Sequence, residues 1–236
     1  MLSRLLIIAS LAFTLFQAGC ASQHSMATLD EKSAAKPTKA VYLLTVTLKN
    51  SFVPAYQPKL ESLKLQKLVQ SEYPVIQIHN VDHLGKNETL SPATGNSYLV
   101  RLELEPGEYR LLGLNSVGQS MFITSPYFTP ILGRISVREP GFFYLGHIDA
   151  TIRERKSEEF HAGGLLPTQE QRLTGGFGGT WDISIVDQWA EDQGRFQNRF
   201  PALAKASVQK ATLTPFNRGS AQAWWDFNNF KEVPNQ

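Results

Sequence analysis

The sequence predicts an all-β fold, an antiparallel β-sandwich carrying a short helical extension at its C-terminal end. Apolar residues recur with a period of two from Ala40 to Val186, Pro and Gly clusters punctuate those runs, and a helical spacing of aromatics appears only after Asp187. The expected division is a leader at 1–19, a tether at 20–39, a sandwich at 40–187 and a helix with an aromatic tail at 188–236.

The chain opens on a basic start, Met1 to Arg4, followed by the uncharged run Leu5 to Phe16 and then Gln17-Ala18-Gly19-Cys20. That run falls short of the ~20 residues a helix needs to cross the hydrocarbon core, so the pattern reads as a cleaved secretory leader. Gln17 to Cys20 resembles the lipobox of bacterial lipoproteins, with Gln17 standing where that motif usually has an apolar residue. The resemblance implies acylation of Cys20, the only cysteine, and anchoring of the mature chain to a bilayer. Ala21 follows, where an aspartate would have resembled an inner-membrane retention signal, so an outer-membrane lipoprotein facing the periplasm is expected. An ordinary secretory leader, with Cys20 incidental, is the alternative.

Of the 23 Lys and Arg in the chain only Arg4 lies in the leader, which leaves 22 basic against 21 acidic groups scattered along the mature part. No basic face or charge run points to nucleic acid. With Cys20 consumed as a thioether, the mature chain has no disulfide, thiol nucleophile or cysteine-based metal site. Residues 21–39 are small and polar with no apolar period, the pattern of a tether.

The first strand follows at Ala40: Tyr42, Leu44, Val46 and Leu48 share one face, while Thr45, Thr47 and Lys49 mark the other. Strands are also predicted at 60–68 and 75–79. Tyr98, Val100, Leu102 and Leu104 alternate with Arg101, Glu103 and Glu105, one side to a core and one to water. Glu105-Pro106-Gly107 then predicts a type II turn with Gly107 at positive φ, leading into a strand at 109–114. Further strands are expected at 121–124, 135–138, 143–152 and 181–186, and the triplet recurs at Glu139-Pro140-Gly141.

Asp187 is placed to cap a helix whose one face carries Trp189, Phe196 and Phe200 at i, i+7 and i+11, and Pro201 ends it. A second helix is expected at 202–211, followed by the aromatic cluster Trp224, Trp225, Phe227 and Phe230.

Pro106-Gly-Glu-Tyr109, Pro140-Gly-Phe-Phe-Tyr-Leu-Gly146 and an Asp-led helix ending in Phe200-Pro-Ala-Leu203 together resemble uncharacterised bacterial lipoproteins with a transthyretin-like or carboxypeptidase-regulatory-like sandwich, close to Ig-like architecture. The resemblance spans about residues 95–203. It implies a non-catalytic binding or assembly module, with no catalytic residues to carry over and no cofactor.

Candidate sites are few. His147 and Asp149 share a strand face about 7 Å apart, a spacing open to metal ligation or acid-base chemistry, but Phe143 and Leu145 are expected on the same face and no third ligand has the right spacing. His79 and His83 form an H-x-x-x-H off any helix and read as a surface pair. Ser207 and Lys210 match S-x-x-K, as do Ser33 and Lys36 in the tether, without the companion motifs of that chemistry. Gly175-Gly-Phe-Gly-Gly179 lacks the Lys-Ser/Thr of a phosphate loop and reads as a mobile loop, and Asn87-Glu88-Thr89 is a glycosylation triplet that a bacterium normally ignores.

The four C-terminal aromatics either dock onto the sandwich, the favoured account, or remain free to stack on sugars. The expectation is therefore an envelope lipoprotein binding a protein partner. Glycan or peptidoglycan binding through Trp224, Trp225, Phe227 and Phe230, or through the loop Gly175 to Gly179, is the alternative, and a metal-dependent hydrolase around His147 and Asp149 the least favoured.

Overall fold

The structure is a computed structural model that describes residues 22–25, 37–68, 74–79, 89–91, 93–120 and 122–229. Cys20, Ser33, Lys36, His83, Asn87 and Phe230 lie outside the described residues.

Two sheets pack face to face. The five-stranded sheet runs β1 (Ser22–Ser25), β4 (Val75–His79), β3 (Pro58–Lys67), β7 (Gly107–Ser120), β8 (Ile123–Val137). The other has the order β10 (Gly179–Val186), β9 (Gly141–Glu154), β2 (Ala40–Asn50), β6 (Gly95–Leu104), β5 (Thr89–Ser91), with β11 (Val208–Lys210) beside the start of β9. The helices are α1 (Glu170–Leu173), α2 (Trp189–Arg199) and α3 (Arg218–Asn229), with a 3₁₀ turn at Pro201–Lys205.

The sheets are mixed rather than antiparallel throughout: β2 pairs β9, β11 pairs β9 and β1 pairs β4 in parallel. Parallel pairing needs long crossovers, and the β2–β9 pair joins strands about a hundred residues apart, beyond the reach of local patterning. Ser22–Ser25, expected in the tether, instead form an edge strand on β4.

The inner faces follow the alternation. Tyr42, Leu44, Val46 and Leu48 of β2 and Tyr98, Val100, Leu102 and Leu104 of β6 meet Leu63, Leu65, Leu111 and Leu114 of the facing sheet in one core. The outer face of the six-stranded sheet does not meet water as expected. Helix α2 lies across it, and Val41, Leu43, Leu99, Phe142 and Tyr144 form a second core with Phe196, Phe200 and Leu203. Even Arg101 is buried there, its guanidinium 4.7 Å from the Phe200 ring centroid.

Both Glu-Pro-Gly triplets turn between sheets rather than between paired strands. The first carries β6 into β7 and the second carries β8 into β9, each from one layer to the other. Gly107 therefore opens β7 opposite Val137 and is not among the positive-φ glycines. Tyr109 locks the first corner by donating its hydroxyl to the Glu105 carbonyl at 2.8 Å, the device known in sandwiches as a tyrosine corner. Of the strand expected at 121–124, Ile123 and Thr124 begin β8, Phe122 is a turn residue almost wholly exposed, and Met121 lies outside the described residues.

One glycine redirects a whole strand. The β2–β9 register shifts between Leu43 and Leu44, where Leu43 faces Tyr144 and Leu44 faces Gly146, so Leu145 and Gly146 form a bulge. Gly146 has φ +116°, and a Cβ there would meet the Val186 carbonyl at 3.0 Å. Gly146→Ala is expected to cost about 1–3 kcal/mol, read as a drop in the denaturation midpoint.

The remaining departures lie after Gly163. Gly175 to Gly179 is packed rather than mobile: Gly163 donates to the Gly176 carbonyl at 2.8 Å, Arg155 to that of Gly178 at 2.9 Å and Ala162 to that of Gly179 at 2.8 Å. In place of a helix at 202–211 stand the 3₁₀ turn and β11, so Ser207 and Lys210 lack the helical juxtaposition their motif needs, and Lys210 pairs with Asp187 at 2.7 Å. Asp187 also accepts from the Trp189 amide at 3.0 Å, one position upstream of the structural N-cap Gln188. The aromatic tail is largely helical, as α3.

Candidate functional site

The bulge at Gly146 decides what surrounds His147. Phe143 and Leu145 face the inner core, whereas Tyr144, before the bulge, and His147, after it, share the outer face beneath α2. The expectation that Phe143 and Leu145 flank His147 is thereby overturned, because one extra residue inverts the alternation.

Beneath α2 the polar groups close into a ring. His147 Nδ1 lies 3.2 Å from Asp192 Oδ2, off the line of a straight hydrogen bond, and Nε2 lies 3.0 Å from Thr47 Oγ1 and 3.5 Å from Asp149 Oδ1. Thr47 donates to Ser97 Oγ at 3.3 Å, Arg195 donates to the same oxygen at 2.9 Å, and Arg195 returns to Asp192 at 3.5 Å. Tyr144 donates to Asp192 Oδ2 at 2.6 Å.

Burial pushes the His147 pKa down, but the hydrogen bonds and charges of Asp149 and Asp192 outweigh it and raise the pKa to about 9. Burial likewise works against ionising Asp192, yet His147, Tyr144 and Thr45 hold its carboxyl below the usual aspartate range. Burial and the neighbouring Asp192 raise the Tyr144 hydroxyl well above an ordinary tyrosine. Among the described residues no group of three His, Cys, Asp or Glu side chains is placed to hold a metal ion. The cluster's chemistry is that of a buried ion pair fastening α2 to the sheet.

Asp192 was legible in principle, since it falls three residues after Trp189 on the apolar face of α2, where a carboxylate demands a partner. Thr45, Tyr144 and Arg195 gave no comparable signal.

Of the C-terminal aromatics, Trp224 and Trp225 are docked. Trp225 is 2% exposed and packs on Phe160 and His161, with ring centroids 5.8 and 4.7 Å away. Trp224 stacks on Phe128 at 5.3 Å and 27°. Phe227 is exposed. Arg218, at the start of α3, donates to the Trp181 carbonyl and to Asp182 at 2.8 Å, and Arg153 bridges Asp182 at 2.9 Å to Glu159 at 2.6 and 2.7 Å. Arg153 holds the Glu159 carboxyl down at about 2.

A groove of about 550 Å³ opens on the outer face of the five-stranded sheet. Register aligns its floor as one row across four strands, His79 beside Ser62, Ser62 beside Asn115 and Asn115 beside Phe128. Ser62 Oγ is the hub: Gln77 donates to it at 3.0 Å and Asn115 at 2.9 Å. Glu61 and Lys64 stand at the rim, with Lys64 Nζ 5.6 Å from the Phe128 ring centroid. Phe128 lies flat because Gly113 is beneath it, where a Cβ would come within 2.5 Å of the ring.

The far wall is the segment 164–168. Gly164 donates to the Pro126 carbonyl at 3.1 Å, and the fully buried Gln171 donates to the Leu166 carbonyl at 2.8 Å, so the wall is fixed before any ligand arrives. Of the residues singled out from sequence, His79 reaches this groove, and Trp224 supports it through Phe128.

Comparison with known protein families, curated proteins and solved structures finds no match. No helix among the described residues is long and apolar enough to cross a membrane.

Proposed function

We propose that the chain is a lipoprotein held at the outer membrane through Cys20 and facing the periplasm, and that its sandwich is a non-catalytic module that binds or assembles an envelope component. The leader pattern and the lone cysteine support the anchor. Ser22, which follows Cys20 by two residues in the sequence, is paired in β1.

The observation that carries the binding reading is the contrast between the two outer sheet faces. One is sealed by α2 over a second apolar core, while the other presents a groove with a row of polar side chains in its floor and a wall anchored by Gln171. Ligand sites are typically concave and preformed, with a few fixed polar groups. Burial of Trp225 withdraws it as a stacking surface.

A photo-crosslinking residue at Leu166, exposed on the groove wall, tests this in intact cells. A discrete adduct is expected there and not at Leu173, which is exposed outside the groove. Equal labelling at both positions, or none at Leu166, would contradict it.

A further inference from the structure

We infer that the groove on the outer face of the five-stranded sheet is a binding site for a neutral saccharide unit. The inference rests on the reading of the sandwich as a binding module but is independent of the lipid anchor.

The polar groups of the floor are arranged for hydroxyls. Gln77 and Asn115 both direct their amide N–H groups at Ser62 Oγ, which leaves two amide oxygens as acceptors and the Ser62 O–H as a donor. A sugar hydroxyl donates and accepts at once, so a ring of them answers such a mixed set. A simple ion does not. Glu61 and Lys64 stand at the same rim with opposite charges, so the groove carries no net field selecting an anion or a cation.

A purely apolar ligand would strip water from Ser62, Gln77 and Asn115 and give no hydrogen bonds in return. An extended peptide is also disfavoured by position. Peptides that bind sheets gain affinity from backbone groups at a free edge, whereas this floor is a sheet face whose main-chain groups are already paired in the ladders of β4, β3, β7 and β8.

The walls complete the fit. Pro126, Leu165 and Leu166 supply an apolar side for the C–H face of a pyranose ring, opposite the polar row. The wall position is set by Gln171 and the floor edge by the stacking of Trp224 on Phe128, so little ordering is required on binding.

The test is saturation-transfer NMR on the purified full chain in detergent, with chitotetraose, cellotetraose and maltotetraose as probes. At least one is expected to bind, and Leu166→Arg, a change at an exposed wall position, should weaken that binding at least about tenfold, equivalent to ~1.4 kcal/mol. Ser62→Val should do the same, with melting curves reporting whether it folds. Phe227→Ala, on the exposed side of α3, should leave binding unchanged. Absence of binding by all three sugars overturns the inference, as does binding that survives Leu166→Arg or is lost only in Phe227→Ala. If the sugars fail while the Leu166 crosslink in cells still yields a discrete protein adduct, the saccharide assignment falls and the binding module stands. If neither appears, both fall.

Discussion

Trp181→Ala is expected to lower the folding free energy by about 3–5 kcal/mol, the range for removing a fully buried large aromatic. Trp181 sits on β10 at the side of the sandwich where the two sheets part, and its indole N–H donates to the carbonyls of Phe128 at 2.9 Å and Ala162 at 3.2 Å. Phe128 belongs to one sheet and Trp181 to the other, while Ala162 lies in the segment that runs between their edges. One side chain therefore ties three pieces of chain together, with its ring edge against Tyr127 at 6.2 Å. Alanine would leave a cavity as well as an unanswered acceptor. Chemical denaturation checks the magnitude. Trp181→Phe, which keeps most of the volume and loses the donor, should cost less, and a loss under ~1 kcal/mol for Trp181→Ala would contradict the account.

The second large effect is at the ion pair under α2. Asp192→Asn is expected to cost about 3 kcal/mol at neutral pH, because it leaves a buried imidazolium without its buried counter-charge, Asp149 being the more exposed of the two carboxylates beside it. The pH dependence follows from the direction of each shift. His147 has a folded pKa raised to about 9, so its contribution is complete below its ordinary value of 6.5 and disappears as pH rises through 9. Asp192 has a lowered pKa, so its contribution is present above the ordinary 3.8 and is lost as the carboxylate protonates in acid. The parent should thus be most stable between about pH 4 and 6.5 as far as this pair is concerned, and should weaken from there to pH 9. In Asp192→Asn the decline between pH 6.5 and 9 should shrink, and the His147 ring should titrate below 9 by NMR, still raised by Asp149. An unchanged His147 titration in the variant would show that Asp192 is not its partner.

These two sites differ in how far the sequence discloses them. Alternation in β2 and β6 marks the inner core because each buried side chain is set by its own strand's pleat. Trp181 is of this kind, a large aromatic in a short β-rich run. The His147 cluster is not. Its membership depends on the bulge at Gly146, which inverts the alternation of β9, and on the parallel pairing with β2 that brings Thr47 alongside. The helical face of Trp189, Phe196 and Phe200 was readable, but its burial against the outer sheet face was not, since a sheet face covered by a helix and one facing water begin with the same alternation. The Glu-Pro-Gly triplets mark turns without saying that these join opposite layers. The groove is further from reach, because His79, Ser62, Asn115 and Phe128 come from four strands and become neighbours only through register. Trp224 and Trp225, read as surface or latch, resolve as latch once Phe128, Phe160 and His161 are seen to receive them.

The anchor is the claim on which the cellular reading depends, and the intact mass of the protein purified from bacterial membranes tests it most directly. The expected product is a chain that begins at Cys20 and carries the added mass of a diglyceride and an amide-linked fatty acid, with Cys20→Ser moving the protein into the soluble periplasmic fraction. A mature chain with an unmodified Cys20 thiol, or a Cys20→Ser variant that stays with the membranes as the parent does, would contradict it.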